Sequence, residues 1–191
     1  MGKIDNAILN DVLIPNGGYY REEITVGPGF GVDTAVINLN DHQGLATSSD
    51  PLSLIPTLGM KESAWLSVHL TANDMATTGY SPQYAQFVLN LPTSLSNEQF
   101  KTYWEYIHTF CKDIGVAITG GHTGHIEGQN SPMPGGCTMF MTAPRHKMVV
   151  SNNARPGNVI VMTKETAISS SSILAKSFPE TVARKLGNKK H

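Results

Sequence analysis

The stretch SVHLTANDMATTGYSP, residues 67–82, decides how the chain folds. Its apolar positions, with one residue just before it, recur at the spacing of a buried helix face. These positions are Trp65, Val68, Ala72 and Met75. Gly79 is a residue type that ends helices, and Pro82 is one that follows them. We therefore predict a helix over about 61–78 that packs its apolar face on the core.

This helix also carries an Asn73-Asp74 pair beside its apolar face. Asp74 lies toward the C-terminal end of the helix, which is the negative pole of the helix dipole. A carboxylate is unfavourable there unless a cation is near, and burial without a partner raises the cost further. The helix alone favours a solvated Asp74, so the other acidic residues decide the interpretation.

The remaining elements alternate between strands and helices. Before the helix we predict a short helix over 5–13, two strands around a glycine loop (Gly27, Gly29, Gly31) and a strand ending at Asp50-Pro51. After it we predict a strand over 84–92, a helix with a Ser96/Gln99 capping box, a buried strand 116–119, a strand 135–143, a strand within 153–164 and a helix from about Ser170. This order predicts an α/β or α+β class with a mixed sheet packed on helices.

Two further sets of apolar and aromatic residues are assigned to the core. One face of the second long helix carries Phe100, Trp104, Ile107, Cys111 and Ile114. The Tyr19-Tyr20 pair is also interpreted as core rather than as a platform for stacking bases.

A composition shift near 144–153 divides the chain into a domain over 1–145 and the start of a second over 146–191. That second part is too short to bury a core of its own.

Composition excludes several classes of function. The 191 residues carry a net charge of −1, so there is no basic field for nucleic acid or an anionic membrane. The longest apolar runs are shorter than a membrane span, and the start lacks the apolar region of a signal peptide. Two cysteines do not make a disulfide framework, so we expect a cytoplasmic protein.

Three carboxylates fall at the ends of predicted strands or on the first long helix: Asp33, Asp50 and Asp74. Magnesium prefers oxygen ligands, usually one or two carboxylates together with phosphate oxygens and water. Glycine-rich segments, here GPGFG and TGGHTGH, allow backbone N–H groups to approach phosphates. The combination suggests a magnesium–nucleotide site, although each carboxylate taken alone also fits an ordinary turn or a solvated surface.

A metal site of another kind is the alternative. His122 and His125 have an H-x-x-H spacing, Glu127 is nearby and Cys137 follows. These side chains are zinc ligands in many proteins. The glycines around the two histidines favour a loop, which gives no fixed geometry for both imidazoles.

Taken in order, five segments resemble the aminoimidazole ribonucleotide (AIR) synthetase superfamily. They are GVDTAVI, LATSSDP, TANDMATTGYSP, GVAITGGHTGH and NARPGNVIVMTK. The superfamily includes that purine enzyme, selenophosphate synthetase, thiamine-monophosphate kinase and a hydrogenase-maturation dehydratase. The last of these branches is the most similar, because a GGHT segment and an N-A-N-D helix are typical of it.

The resemblance implies an N-terminal domain with a mixed sheet, a homodimer formed between two such sheets, and ATP bound near that interface. It implies Mg²⁺ bound by Asp33, Asp50 and Asp74. It also implies contacts to ATP or its phosphates at Lys3, Asn73, Gly120, Gly121, His122 and Thr123. The implied reaction is ATP-driven phosphorylation that activates a small amide-type substrate or a carbamoylated protein.

Several departures from the family pattern leave alternatives open. The first motif has Val32 and Thr34 around Asp33 where relatives carry further acidic residues, and His122 stands where several branches carry Asp. Family enzymes also have a complete second domain. The alternatives are therefore an inactive nucleotide-binding or regulatory homologue and the His/Cys metal protein. Substrate-selecting residues lie largely in the cleft with the second domain, so the substrate is not predicted.

Overall fold

The structure is a computed structural model that describes residues 4–187. Its six strands are β1 (Ile24–Val26), β2 (Ala35–Asn38), β3 (Gln43–Pro51), β4 (Tyr84–Pro92), β5 (Ala117–Ile126) and β6 (Gly135–Pro144). Its α-helices are α1 (Asn6–Ile8), α2 (Met60–Ala76), α3 (Asn97–Asp113), α4 (Ile168–Ser177) and α5 (Pro179–Leu186). A π-helix (Leu9–Leu13) continues α1, and two 3₁₀ turns follow β6 at Arg145–Lys147 and Ser151–Asn153.

The strands form one mixed sheet, as predicted, in the order β1-β2-β3-β6-β4-β5. All neighbouring pairs are antiparallel except β4 and β5, which are parallel and joined through α3. A parallel pair needs such a crossover, and α3 supplies it. The α/β fold class is confirmed.

The two faces of the sheet differ because α2 and α3 cover only one of them. On the covered face, alternate residues of the central strands are buried, including Ala46, Phe87, Leu89, Met139 and Met141. Their neighbours along the same strands point to the opposite face and are partly or largely exposed. This period-2 alternation is expected of strands with one covered face.

Helix α2 runs antiparallel to β3, held by hydroxyl groups rather than by an apolar stripe alone. The Ser67 hydroxyl accepts from the Ser53 amide at 2.8 Å and hydrogen-bonds the Tyr103 hydroxyl at 2.7 Å. Val68, Ala72 and Met75 are buried as predicted, but Trp65 is 45% exposed. The prediction for Trp65 was wrong because the small residues Ser63 and Ser67, which the apolar count ignores, occupy the covered face two positions before and after it.

Helix α3 follows its sequence signals closely. Ser96 and Gln99 form the predicted capping box in both directions, at 3.2 Å and 2.9 Å. Ile107 and Cys111 are buried, and the other three predicted core residues, Phe100, Trp104 and Ile114, pack against the core while partly exposed.

Three local predictions were wrong. Tyr19 and Tyr20 are 87% and 83% exposed, because they lie in a loop before β1 that no helix covers. Residues 153–164 form no strand, and Ile160 is fully exposed at 101%. A strand needs a hydrogen-bonding neighbour, and none of the described strands pairs with this segment. The GGHTGH segment is not a loop but the second half of β5.

The segment after β6 contacts the rest of the chain near Val149, whose amide donates to the Thr78 carbonyl at 2.9 Å, and again through α4. Lys176 of α4 forms an ion pair with Glu62 of α2 at 2.5 Å. The helical tail is confirmed, while the domain boundary near 145 stays a prediction. No helix among residues 4–187 is both long and apolar enough to cross a membrane.

Candidate nucleotide and magnesium site

The Ser48 hydroxyl joins two of the predicted magnesium ligands. It lies 2.7 Å from the backbone carbonyl of Asp33, to which it donates, and 3.2 Å from Oδ2 of Asp74. Asp33 precedes β2, Ser48 lies in β3 and Asp74 lies in the last turn of α2. Two carboxylate-bearing segments that are 41 residues apart in sequence therefore meet at one end of the sheet.

Two threonines fix the backbone of Asp74. Its carbonyl oxygen accepts from the Thr34 hydroxyl at 2.9 Å and from the Thr77 hydroxyl at 2.6 Å. The free carbonyls at a helix C-terminus are normally satisfied by water or side chains, and here side chains from two segments do so. The Asp74 carboxyl is partly buried, while the neighbouring Asn73 is exposed.

Asp50 lies on the same face of β3 as Ser48, two residues further along the strand. The rise of a strand places their Cα atoms about 7 Å apart. Asp50 is partly buried and Asp33 is exposed. Continuing the β2–β3 register, in which Ala35 pairs with Thr47, places Asp33 beside Ser49, level with Asp50 but on the opposite face of the sheet. All three predicted metal ligands thus lie at one end of the β2–β3 pair.

A row of paired residues crosses the sheet from Asp50 to the glycine pair. Asp50 pairs with Cys137, Cys137 with Phe87, and Phe87 with Gly121. Paired residues point to the same face, so Gly121 lies on the face of Asp50. Three strand spacings separate them by about 14 Å. Cys137 and Phe87, which lie between them, are buried under the helices, so Gly121 at the exposed edge strand and Asp50 lie on either side of the core.

Gly120 and Gly121 tolerate a side chain differently. Both have positive φ, 147° and 143°, which L side chains rarely adopt. A methyl group at Gly120 would meet open space, whereas one at Gly121 would overlap the Phe87 carbonyl. Gly121 is thus required by the packing of β5 on β4, whatever else it binds. Thr123 shares its face, and both residues are exposed.

The histidines do not form the alternative metal site. Because β5 is a strand, His122 and His125 point to opposite faces: His122 pairs with Val88 and His125 with Leu91. Cys137 is buried on the covered face of β6, two strands away from β5. Among residues 4–187 no group of three His, Cys, Asp or Glu side chains is arranged to hold a metal ion. The zinc hypothesis, based on His122, His125 and Cys137, was wrong because the expected loop is a strand.

The buried groups near the row are held neutral. Burial raises the pKa of the Cys137 thiol to about 12, with a further contribution from nearby Cys111. Burial also raises the pKa of Cys111 and of Tyr103 to about 12. These groups have no role as nucleophiles at neutral pH, since the thiolate is the reactive form of cysteine.

Two predicted nucleotide contacts, Lys3 and His122, gain no support from the structure. Lys3 lies outside the described residues. His122 points to the sheet face opposite Asp50 and Gly121, and imidazole is a poor magnesium ligand. Asp33, Asp50 and Asp74 carry oxygen donors, the type that Mg²⁺ prefers, but among residues 4–187 these three side chains are not gathered into a metal site. Because Mg²⁺ usually keeps water and phosphate oxygens as ligands, these carboxylates fit it without forming a complete cage.

The sequence profile of the AIR synthase related protein, N-terminal domain, matches residues 31–142, which is more than half of the chain. This chain belongs to that family. The match begins just before Asp33, ends in β6, and includes every predicted site residue except Lys3. No curated protein sequence matches the chain.

Solved structures show the same fold. AaThiL complexed with AMPPCP and TMP has a TM-score of 0.52 and 20% identity, covering 65% of this chain and 40% of that one. Phosphoribosylformylglycinamidine synthase II from Thermotoga maritima has a TM-score of 0.52 and 17% identity, covering 71% and 22%. The chain therefore spans less than half the length of these proteins.

Sequence reasoning missed the three hydroxyl residues that organise the site: Thr34, Ser48 and Thr77. A signal for Ser48 was present. In a strand ending at Asp50, alternation puts residue 48 on the same face as Asp50.

Proposed function

We propose that the chain is the nucleotide-binding domain of an ATP- and Mg²⁺-dependent enzyme. The observation that carries this proposal is the contact of the Ser48 hydroxyl with both the Asp33 backbone and the Asp74 carboxylate. Asp50 is two residues from Ser48 on the same face of β3, so the segments of Asp33, Asp50 and Asp74 lie at one end of the sheet. The family match and the AMPPCP bound to AaThiL support a nucleotide as the ligand.

The protein's own residues would act by positioning and by charge. Asp33, Asp50 and Asp74 would hold Mg²⁺, which neutralises the phosphate charge that develops during phosphoryl transfer. Thr34 and Thr77 hold the Asp74 backbone, so the carboxylate needs little reorganisation to bind. By the family resemblance, Thr123, Gly120 and Gly121 would contact the phosphates from the edge strand, and Asn73 and Lys3 are proposed as further nucleotide contacts.

The substrate class follows only from the resemblance. A hydrogenase-maturation-like enzyme would phosphorylate an amide-type or carbamoyl substrate in a cleft shared with a second domain. The alternative is a homologue that binds nucleotide without turnover, favoured by the missing acidic residues around Asp33. Release of phosphate from ATP by the purified chain, with loss in an Asp74 variant, would exclude that alternative.

We also propose that two copies of the chain associate through the uncovered sheet face. The resemblance implies such a dimer, and the apolar runs 87–91 and 137–141 also favour it, but half of each run is buried beneath the helices. The other half supports the proposal. Tyr84 and Val88 are 41% and 42% exposed there, and Tyr84 stacks on Phe140 at 5.4 Å. An exposed face with apolar groups on adjacent strands is typical of an interface.

Light scattering tests the dimer. The wild-type chain is expected to be a dimer at micromolar concentration, and Val88→Lys is expected to be monomeric because it places a charge in the interface. Val12→Lys is the matched control, since Val12 is 50% exposed and lies outside the sheet. A monomeric wild type, or dimers of both variants, would overturn this part of the proposal.

Calorimetric titration with ATP and Mg²⁺ tests the site. Asp74→Asn keeps a hydrogen-bond acceptor for Ser48 but loses the charge, and we expect affinity to fall about tenfold or more. Asp113→Asn is the matched control, because Asp113 is an exposed carboxylate at the C-terminal end of α3. Equal affinities of the two variants, or no binding by the wild type, would contradict the proposal.

A further inference from the structure

A groove of about 480 Å³ lies away from the carboxylates. Its walls come from the first half of α2, from the last turns of α3 and from α4 with the segment before it. Trp65, Phe110 and Ile173 are among its apolar residues. Cavities of this size are typical of small-molecule sites, which are mostly apolar with a few convergent polar groups.

The charge of the groove is positive. Three lysines and one glutamate line it: Lys61, Lys164, Lys176 and Glu62. Lys176 is already paired with Glu62 at 2.5 Å, and this contact, acting first among several causes, lowers the pKa of Glu62. Among the described residues Lys61 and Lys164 form no ion pair. Lys61 also helps to lower the pKa of Glu62, but three lysines outnumber the one glutamate, so the groove keeps an excess of positive charge beside its apolar wall.

An aromatic wall stands next to these lysines. Trp65 is 45% exposed and stacks on His69, with ring centroids 4.3 Å apart. His69 in turn meets Phe110 edge-on at 5.7 Å, and its Nδ1 lies 2.9 Å from the Trp65 carbonyl. The ring of Trp65 is thus held in place while nearly half of its residue surface stays accessible. Flat aromatic groups stack favourably on such a ring.

The segment that brings Lys164 to the groove has an unusual backbone. Lys164 and Ala167 have φ of 63° and 58° and are the non-glycine residues with positive φ among the described residues. Residues with a side chain rarely adopt this left-handed conformation. The groove is also distinct from the carboxylate site. Lys61 and Asp74 are 13 positions apart on α2, or about 20 Å along the helix axis.

We infer that this groove binds a small anion that carries an aromatic ring. The ring stacks on Trp65 and packs against Phe110, and the anionic group lies between Lys61 and Lys164. Charge complementarity selects an anion over a neutral or cationic ligand, and the apolar wall selects a ring over an inorganic ion. The inference does not depend on ATP binding at Asp33, Asp50 and Asp74.

Nuclear magnetic resonance of the full chain tests this inference with phenyl phosphate as the probe, in EDTA so that magnesium is absent. The indole N–H of Trp65 should shift and saturate, while that of Trp104, which does not line the groove, should not. Inorganic phosphate supplies the charge without the ring, and benzyl alcohol the ring without the charge. Each should bind at least about tenfold more weakly than phenyl phosphate.

Substitutions make the test specific. The double variant Lys61→Ala/Lys164→Ala should weaken binding about tenfold or more, because contacts with charged groups are the strong ones. Lys101→Ala, an exposed lysine on α3, and Asp74→Asn should bind like the wild type. The inference is overturned if Trp65 does not respond, if the double variant binds equally well, or if Asp74→Asn abolishes the response.

Discussion

The two sides of the proposed nucleotide site are built differently. On one side, hydroxyl groups hold the acidic residues: Ser48, Thr34 and Thr77 contact the segments of Asp33 and Asp74. On the other side, Gly120 and Gly121 lie in an exposed edge strand whose backbone packs on β4. The carboxylate side depends on side-chain chemistry, and the glycine side depends on the absence of side chains. Substitutions on the glycine side should therefore mainly lower stability, and substitutions on the carboxylate side should also weaken Mg–ATP binding.

The largest effect is expected at Gly121. Gly121→Ala introduces both an unfavourable φ and an overlap with the Phe87 carbonyl, which backbone atoms cannot easily relieve. Gly120→Ala introduces only the unfavourable φ, because nothing lies within 4 Å. We expect Gly121→Ala to lower the free energy of unfolding by about 1–3 kcal/mol more than Gly120→Ala, or to prevent folding.

Urea denaturation of the two alanine variants measures this difference. Gly120→Ala is the matched control, since it has the same residue change one position away in the same strand. If both variants lose the same stability, the close approach of β5 to β4 is not what requires Gly121.

The next largest effect concerns pH, because the row that joins the two sides passes through a buried thiol. The pKa of Cys137 and that of Cys111 are raised from 9.0 to about 12, mainly by burial. Above pH 9 the unfolded chain loses these protons while the folded chain keeps them. Stability is therefore unaffected below pH 9 and falls as pH rises from 9 toward 12, by up to about 1.4 kcal/mol per pH unit for each thiol.

Denaturation at a series of pH values from 7 to 10.5 checks this. The variant Cys137→Ala should show a shallower decline above pH 9 than the wild type, because one of the two thiols is gone. An identical decline in the variant would show that the Cys137 thiol does not contribute.

The smallest effect is expected on the carboxylate side. Ser48→Ala removes the hydroxyl that contacts Asp33 and Asp74, which should cost about 1 kcal/mol of stability. It should also weaken Mg–ATP binding several-fold, because Asp74 loses a partner. Ser49→Ala is the control: Ser49 points to the uncovered face, where its hydroxyl contacts Thr138 at 2.8 Å. Mg–ATP affinities are measured by calorimetry. Equal affinities of the two variants would show that Ser48 does not contribute to Mg–ATP binding.

The sequence predicts the elements with strong local signals. The capping box of Ser96 and Gln99 starts α3 as expected, and the alternating apolar residues of 84–92 form β4 with the same bounds. Local pattern also placed Asp50 at the end of a strand. These features depend on neighbours in sequence, so they need no knowledge of the tertiary structure.

The failures depend on long-range contacts. Trp65 fits the helical apolar spacing, but Ser63 and Ser67 take the covered face because Tyr103 of α3 and the segment after β3 bond to them. The residues around Ile160 have strand-like composition but no neighbouring strand. The glycines of GGHTGH suggested a loop, whereas pairing with β4 makes them a strand. None of these partners is visible from local sequence.

The central claim is that both sides serve one magnesium–nucleotide site. The most direct measurement is paramagnetic broadening of amide signals by Mn²⁺–ATP, in which Mn²⁺ replaces Mg²⁺. We predict that the amides of Asp33, Asp50 and Asp74 and those of Gly120 to Thr123 broaden together, and that Asp74→Asn removes the effect on both sides. Broadening limited to one side, or centred on the groove between α2 and α4, would contradict the claim.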